Sequence, residues 1–99
     1  MHQLPIPDRH IVITGNLMPW RLDCEQPVLV FIEQIPFLPI FTTEARLRQT
    51  MQDIGISDYK IKQIEDGREF LESVIDQIRI ASDPWITDRG TTRFTEVKR

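Results

Sequence analysis

Apolar residues in this chain fall into short runs with two different rhythms. Val28-Leu29-Val30-Phe31-Ile32 is continuous, β-branched and aromatic, the look of a strand buried on both faces. Ile35-Pro36-Phe37-Leu38-Pro39-Ile40-Phe41 follows at once. Its two prolines cannot donate to a ladder, so this second strand is expected at a sheet edge or at a bulge. The short gap between the runs predicts a hairpin. Leu47, Met51 and Ile54 then recur at helical spacing. Thr42 is placed to cap that helix and Glu44 to favour the positive end of its dipole. Gly55 supplies the left-handed residue that ends it, and Ile56 is placed to pack back on Met51.

Tyr59 to Ile64 alternates apolar and charged residues, as a half-exposed strand does. Asp66 and Glu69 have capping-box spacing, which predicts a second helix from about Gly67 to Gln77. Phe70, Leu71, Val74 and Ile75 form its buried face. Ile78 to Ala81 reads as a strand broken by Asp83-Pro84-Trp85. Asp88-Arg89-Gly90 suits a three-residue hairpin loop, and Thr91 to Val97 alternates as a final strand with Phe94 as its inward anchor.

The first 26 residues are less regular. Ile11-Val12-Ile13 is a short β-like run closed by Gly15-Asn16, and Leu17-Met18-Pro19-Trp20 is apolar without a clear period. Pro5, Pro7 and Pro19 hinder a helix here. The expectation is an irregular arm with one short strand over residues 1–26 and an α+β core over 27–99. The order β, β-β-α-β-α-β-β implies an antiparallel or mixed sheet with two α-helices packed on one face.

The length of 99 residues fits one domain. A net charge of −3 argues against a general nucleic-acid binder, which carries a basic face. Cys24 is the single cysteine, so no internal disulfide forms and a reducing cytoplasm suits the chain. Met1 to Asp8 does not read as a signal peptide. No apolar run approaches the roughly 18 residues of a membrane span. A soluble cytoplasmic protein is expected.

The stretch from Pro27 to about Pro84 resembles the N-terminal domain of the SseB family of bacterial proteins. The carrying residues are Pro27 to Phe31, Leu38-Pro39-Ile40-Phe41-Thr42-Thr43 leading into the helix with Leu47, Gly67 to Leu71, and Asp83-Pro84. The apolar-Pro-apolar-Phe-Thr entry into a helix is the most distinctive part. Family members often continue into a second domain, and Trp20 and Trp85 lie outside the shared pattern. The resemblance implies a compact α+β fold and a leaning towards protein interaction; it carries over no catalytic residue.

Candidate chemistry is sparse. Cys24 and His10 are the residue types of a thiolate–imidazole pair, but a lone cysteine is more often a small neutral residue. His2, His10 and Cys24 with Asp8 or Asp23 match no closed zinc spacing. Glu65, Glu69, Glu72 and Asp76 would share one helical face, where capping and solvation explain them better than acid–base work or cation binding does. The four glycines form no phosphate loop. No cofactor or metal site is expected. Arg79, Arg89, Arg93, Lys98 and Arg99 collect near Trp85 and Phe94, a possible RNA or single-stranded DNA contact, but Asp83, Asp88 and Glu96 interrupt them.

Tryptophan and methionine outside regular structure are common interface anchors. The expectation is therefore a non-enzymatic domain that binds another protein or a second copy of itself, with Met18, Trp20, Phe37 and Trp85 as the interface. A fold-back of the arm onto the core explains the same residues. A small-ligand or effector pocket between sheet and helices is the alternative, and a weak nucleic-acid contact through the C-terminal hairpin is a third reading.

Overall fold

The computed structural model describes residues 13–75 and 77–98. They form an α+β fold of six strands and two helices. In chain order these are β1 (Leu17–Arg21), β2 (Val30–Ile32), β3 (Ile35–Ile40), α1 (Glu44–Asp53), β4 (Tyr59–Gln63), α2 (Gly67–Ser73), β5 (Arg79–Ile86) and β6 (Thr92–Val97). One sheet has the order β2-β3-β5-β6, and β1 pairs with β4 in a second. Only β3–β5 is parallel. No helix among the described residues is long and apolar enough to cross a membrane.

The arm is expected to hold one short strand at Ile11-Val12-Ile13; the strand described in it is Leu17–Arg21. Ile11 and Val12 lie outside the described residues, whereas Leu17 to Arg21 is β1, with β4 along one edge. Its other edge bonds to Phe41 and to Gln26–Val28. Leu17 and Phe41 exchange two backbone hydrogen bonds of 2.8 and 2.7 Å, and the Val28 N–H donates to the Pro19 carbonyl. These bonds join the two sheets. Leu17-Met18-Pro19-Trp20 has no helical period because it never needed one: Met18 and Pro19 are buried and Arg21 is exposed.

A second difference concerns β3, which is central and not an edge. The prolines fit because the ladder asks nothing of their missing N–H groups. A two-residue loop makes Ile32↔Ile35 a hydrogen-bonded pair, so Phe31↔Pro36 is a non-bonded one. Pro36 also precedes the first contact with β5, at Phe37↔Arg79. By the same alternation Pro39 faces the β2 side, where β2 no longer pairs. The run Val28–Ile32 likewise departs from expectation. Only three of its residues are in the strand, and Phe31 is 70% exposed.

Strand β5 does not stop at Asp83. It continues through a bulge between Ser82 and Trp85, where Asp83 takes a left-handed φ of 48°. The Asp83 carboxylate accepts from the Thr42 N–H at 2.9 Å and from the Thr42 hydroxyl. Thr50 of α1 donates to the buried Pro84 carbonyl at 2.9 Å. The bulge is therefore tied to α1 at two points. With its hydroxyl committed to Asp83, Thr42 is not the helix cap; Thr43 is, accepting from the Arg46 N–H.

Several elements match the sequence closely. Gly55 has φ 79°, and the bonds Ile56 N–H to Met51 O and Gly55 N–H to Gln52 O complete the expected helix ending. Asp66 caps α2, accepting from Arg68 and Glu69. Gly90 closes the β5–β6 loop at φ 80°. Helix α2 is shorter than expected. It ends at Ser73, whose hydroxyl donates back to the Phe70 carbonyl, and Val74 is already extended. Ile75 is consequently turned outwards and 59% exposed.

Two apolar clusters result. Ile13, Met18, Leu38, Ile40, Ile64 and Ile80 form one, with Phe70, Leu71 and Val74 of the α2 region against it. Val28, Phe41, Leu47 and Met51 form the other, beside α1. Adjacent residues of one strand feed both, since Ile40 and Phe41 point to opposite sides.

Two predictions follow from the backbone. Glu33 and Gln34 both hold positive φ, at 52° and 70°, in a loop type that prefers Asn-Gly. The double change Glu33→Asn, Gln34→Gly should raise unfolding stability by about 1 kcal/mol in urea titrations. Asp83→Ala should lower it by about 2 kcal/mol, from the lost bonds to Thr42 and the unfavourable φ. Asp83→Asn, which tolerates that φ and keeps an acceptor, should cost less.

Candidate functional site

The four residues singled out as an interface separate in space. Met18 is 8% exposed and belongs to the first cluster, and Phe37 is 3% exposed with the Phe94 ring edge-on at 4.8 Å. Neither side chain is presented at the surface, because each packs into the apolar interior. Trp20 is half-buried, packs against the first cluster, and has the Lys62 ammonium 4.1 Å from its ring centroid. Its Nε1 is enclosed with no hydrogen-bond partner among the described residues. Trp85 alone is exposed, at 46%.

Exposed apolar residues gather instead around Leu29 and β2. The large apolar residues exposed among the described residues are Leu22, Phe31, Ile75 and Trp85. Leu22 and Phe31 line one recess, Ile75 a second, and Phe31 and Trp85 a third; Leu29 is a wall of all three. Leu22 and Phe31 carried no signal in the sequence. Leu22 sits in an irregular turn, and Phe31 was hidden in a run that reads as core.

The strand itself is open. With Val30 and Ile32 bonding to β3, the N–H and carbonyl of Phe31 point away from the sheet. Val28 to Ile32 has no charge to discourage pairing. The opposite edge, β6, carries Arg93 and Glu96, with Lys98 just beyond it.

The other candidates disperse. His2, His10, Asp76 and Arg99 lie outside the described residues. Glu65 precedes α2 and Asp66 is its cap, so the expected acidic helical face is not assembled. No group of three metal-ligating side chains occurs among the described residues. The basic hairpin is broken by Glu96, which pairs with Arg79 at 3.8 Å and with Lys98 at 3.3 Å. Arg21 and Asp23 form a fork of 3.0 and 2.7 Å, and this bond holds the Asp23 carboxyl below its ordinary range.

Cys24, beside that fork, is half-buried. Desolvation pushes its thiol above the ordinary value, and the neighbouring Asp23 adds to the shift. A raised pKa means less thiolate at neutral pH, the opposite of what a nucleophile requires. Alkylation of Cys24 by iodoacetamide at pH 8 should therefore be slower than that of free cysteine, and should gain more as pH rises. An equal or faster rate would restore Cys24 as a reactive residue.

No family model matches the chain, and no curated protein and no solved structure matches it either.

Proposed function

We propose that this chain is a non-enzymatic interaction domain that self-associates through the open edge of β2. The observation that carries this reading is the gathering of Leu22, Phe31, Ile75 and Trp85 around Leu29. Exposed apolar residues scattered singly need no explanation, but a set lining recesses that share Leu29 beside an open strand does.

A second copy of the chain is the partner that fits. An antiparallel pair across a twofold axis sets residue against residue, each giving one N–H and one carbonyl. Phe31 offers both. Its ring and the neighbouring Leu22 and Trp85 would lose water in the same event, which supplies the main driving force. The leaning towards protein interaction that the SseB resemblance implies points the same way. Cytoplasmic residence, consistent with one free cysteine, belongs to this reading too.

The test is molar mass in solution by size exclusion with light scattering across a wide concentration range. The parent chain should pass from monomer to dimer. Phe31→Asp should remain monomeric with an unchanged melting temperature, because an exposed side chain is replaced. Trp85→Ala should weaken association, whereas Trp20→Ala should lower the melting temperature. A parent chain that stays monomeric throughout would overturn the proposal.

A further inference from the structure

A polar recess of about 400 Å³ opens between α1 and the β5–β6 hairpin. Arg46 of α1, Ser82, Asp83 and Trp85 of β5, and Arg93 and Thr95 of β6 are among its walls. The bulge in β5 shapes it. The ladder sets Ser82 opposite Thr95 and Trp85 opposite Arg93, so Asp83 and Pro84 together stand against the single residue Phe94. In a regular strand Ser82 and Trp85, three apart, would point to opposite faces. The extra residue gives both of them partners that alternate onto one face of β6. Arg46 comes from the helix. It precedes Thr50 by one turn, on the side of α1 that is bonded to the Pro84 carbonyl.

The charges in this recess are not balanced. Elsewhere in the hairpin Glu96 pairs with Arg79 and with Lys98. Arg46 and Arg93 have no carboxylate partner among the described residues. The one carboxylate in the lining is Asp83, and it is engaged by the N–H and hydroxyl of Thr42. Two guanidiniums on one recess repel each other, and an anion shared between them turns that repulsion into attraction. Beside them the Trp85 ring is 46% exposed. The hydroxyls of Ser82 and Thr95 have no hydrogen-bond partner among the described residues.

The geometry points to a binding site for a free nucleoside monophosphate, with its phosphate on Arg46 and Arg93, its base on Trp85 and its ribose hydroxyls at Ser82 and Thr95. Guanidinium groups suit phosphate oxygens because their N–H groups form a fixed fork. A flat base stacks on an exposed indole whatever its identity. The volume lies in the range of small-molecule pockets. A simple aryl phosphate would leave the two hydroxyls unused. A nucleic-acid strand needs a continuing cationic track, and Glu96 already holds Arg79 and Lys98.

This inference does not depend on self-association, and its test separates the two. Adenosine 5′-monophosphate, adenosine and ribose 5-phosphate are titrated by calorimetry into the parent chain and into Phe31→Asp. The nucleotide should bind both proteins saturably, about tenfold more tightly than either fragment, and more weakly as salt rises. Arg46→Gln and Arg93→Gln should each weaken it about tenfold, with the melting temperature and the molar mass of the parent chain retained. Trp85→Ala should reduce it to the affinity of ribose 5-phosphate. Phe31→Asp should lose association and keep the nucleotide, so either reading can fail without the other. No saturable binding, a fragment or O-phosphotyrosine bound as tightly as the nucleotide, or unchanged binding in both glutamine variants would each overturn the inference. An adenylate octamer bound about a hundredfold more tightly would make a strand the ligand and overturn it as well.

Discussion

Proline inside the ladders is the constraint on which the architecture rests. Pro19, Pro36 and Pro39 stand in strands, and none can donate a hydrogen bond. Each strand can therefore be paired only where its proline faces no demand. Pro39 has no N–H to offer on the β2 side, and there β2 parts from β3. The Val28 N–H is then free to donate to the Pro19 carbonyl. Two short sheets result, joined through Leu17, Phe41 and the segment before β2.

The bulge in β5 solves a similar problem and adds a clamp. Pro84 interrupts the ladder, so Asp83 swings into a left-handed conformation and the register shifts. The same turn brings the Asp83 carboxylate to Thr42 and the Pro84 carbonyl to Thr50. The start and middle of α1 are thus bound to the strand whose irregularity they stabilise. Leu47 and Met51 are held fully buried against Phe41.

The proposed function draws on what these solutions leave over. Parting from β3 makes β2 a three-residue edge with Phe31 at its centre. The early end of α2 leaves an apolar recess beside Trp20. The recess and the edge of β2 meet at Leu29.

Local chemistry alone determined much of this protein. The α+β class, α1 with its Gly55 ending, the Asp66 cap, the alternation of β4 and the Gly90 loop all follow from interactions within a few residues. Such interactions are written in short spacings, so periodicity and capping rules recover them. Tertiary structure decided the rest. Whether Pro36 and Pro39 allow a central strand depends on which neighbour faces each nitrogen. Whether Asp83-Pro84 ends β5 or bulges it depends on Thr42 and Thr50, more than thirty residues away in sequence. Met18 and Phe37 looked like anchors because their type was legible and their neighbours were not. The exposed apolar residues Leu22 and Phe31 went unread for the same reason: exposure is a property of the packed whole, set by contacts that no local pattern contains.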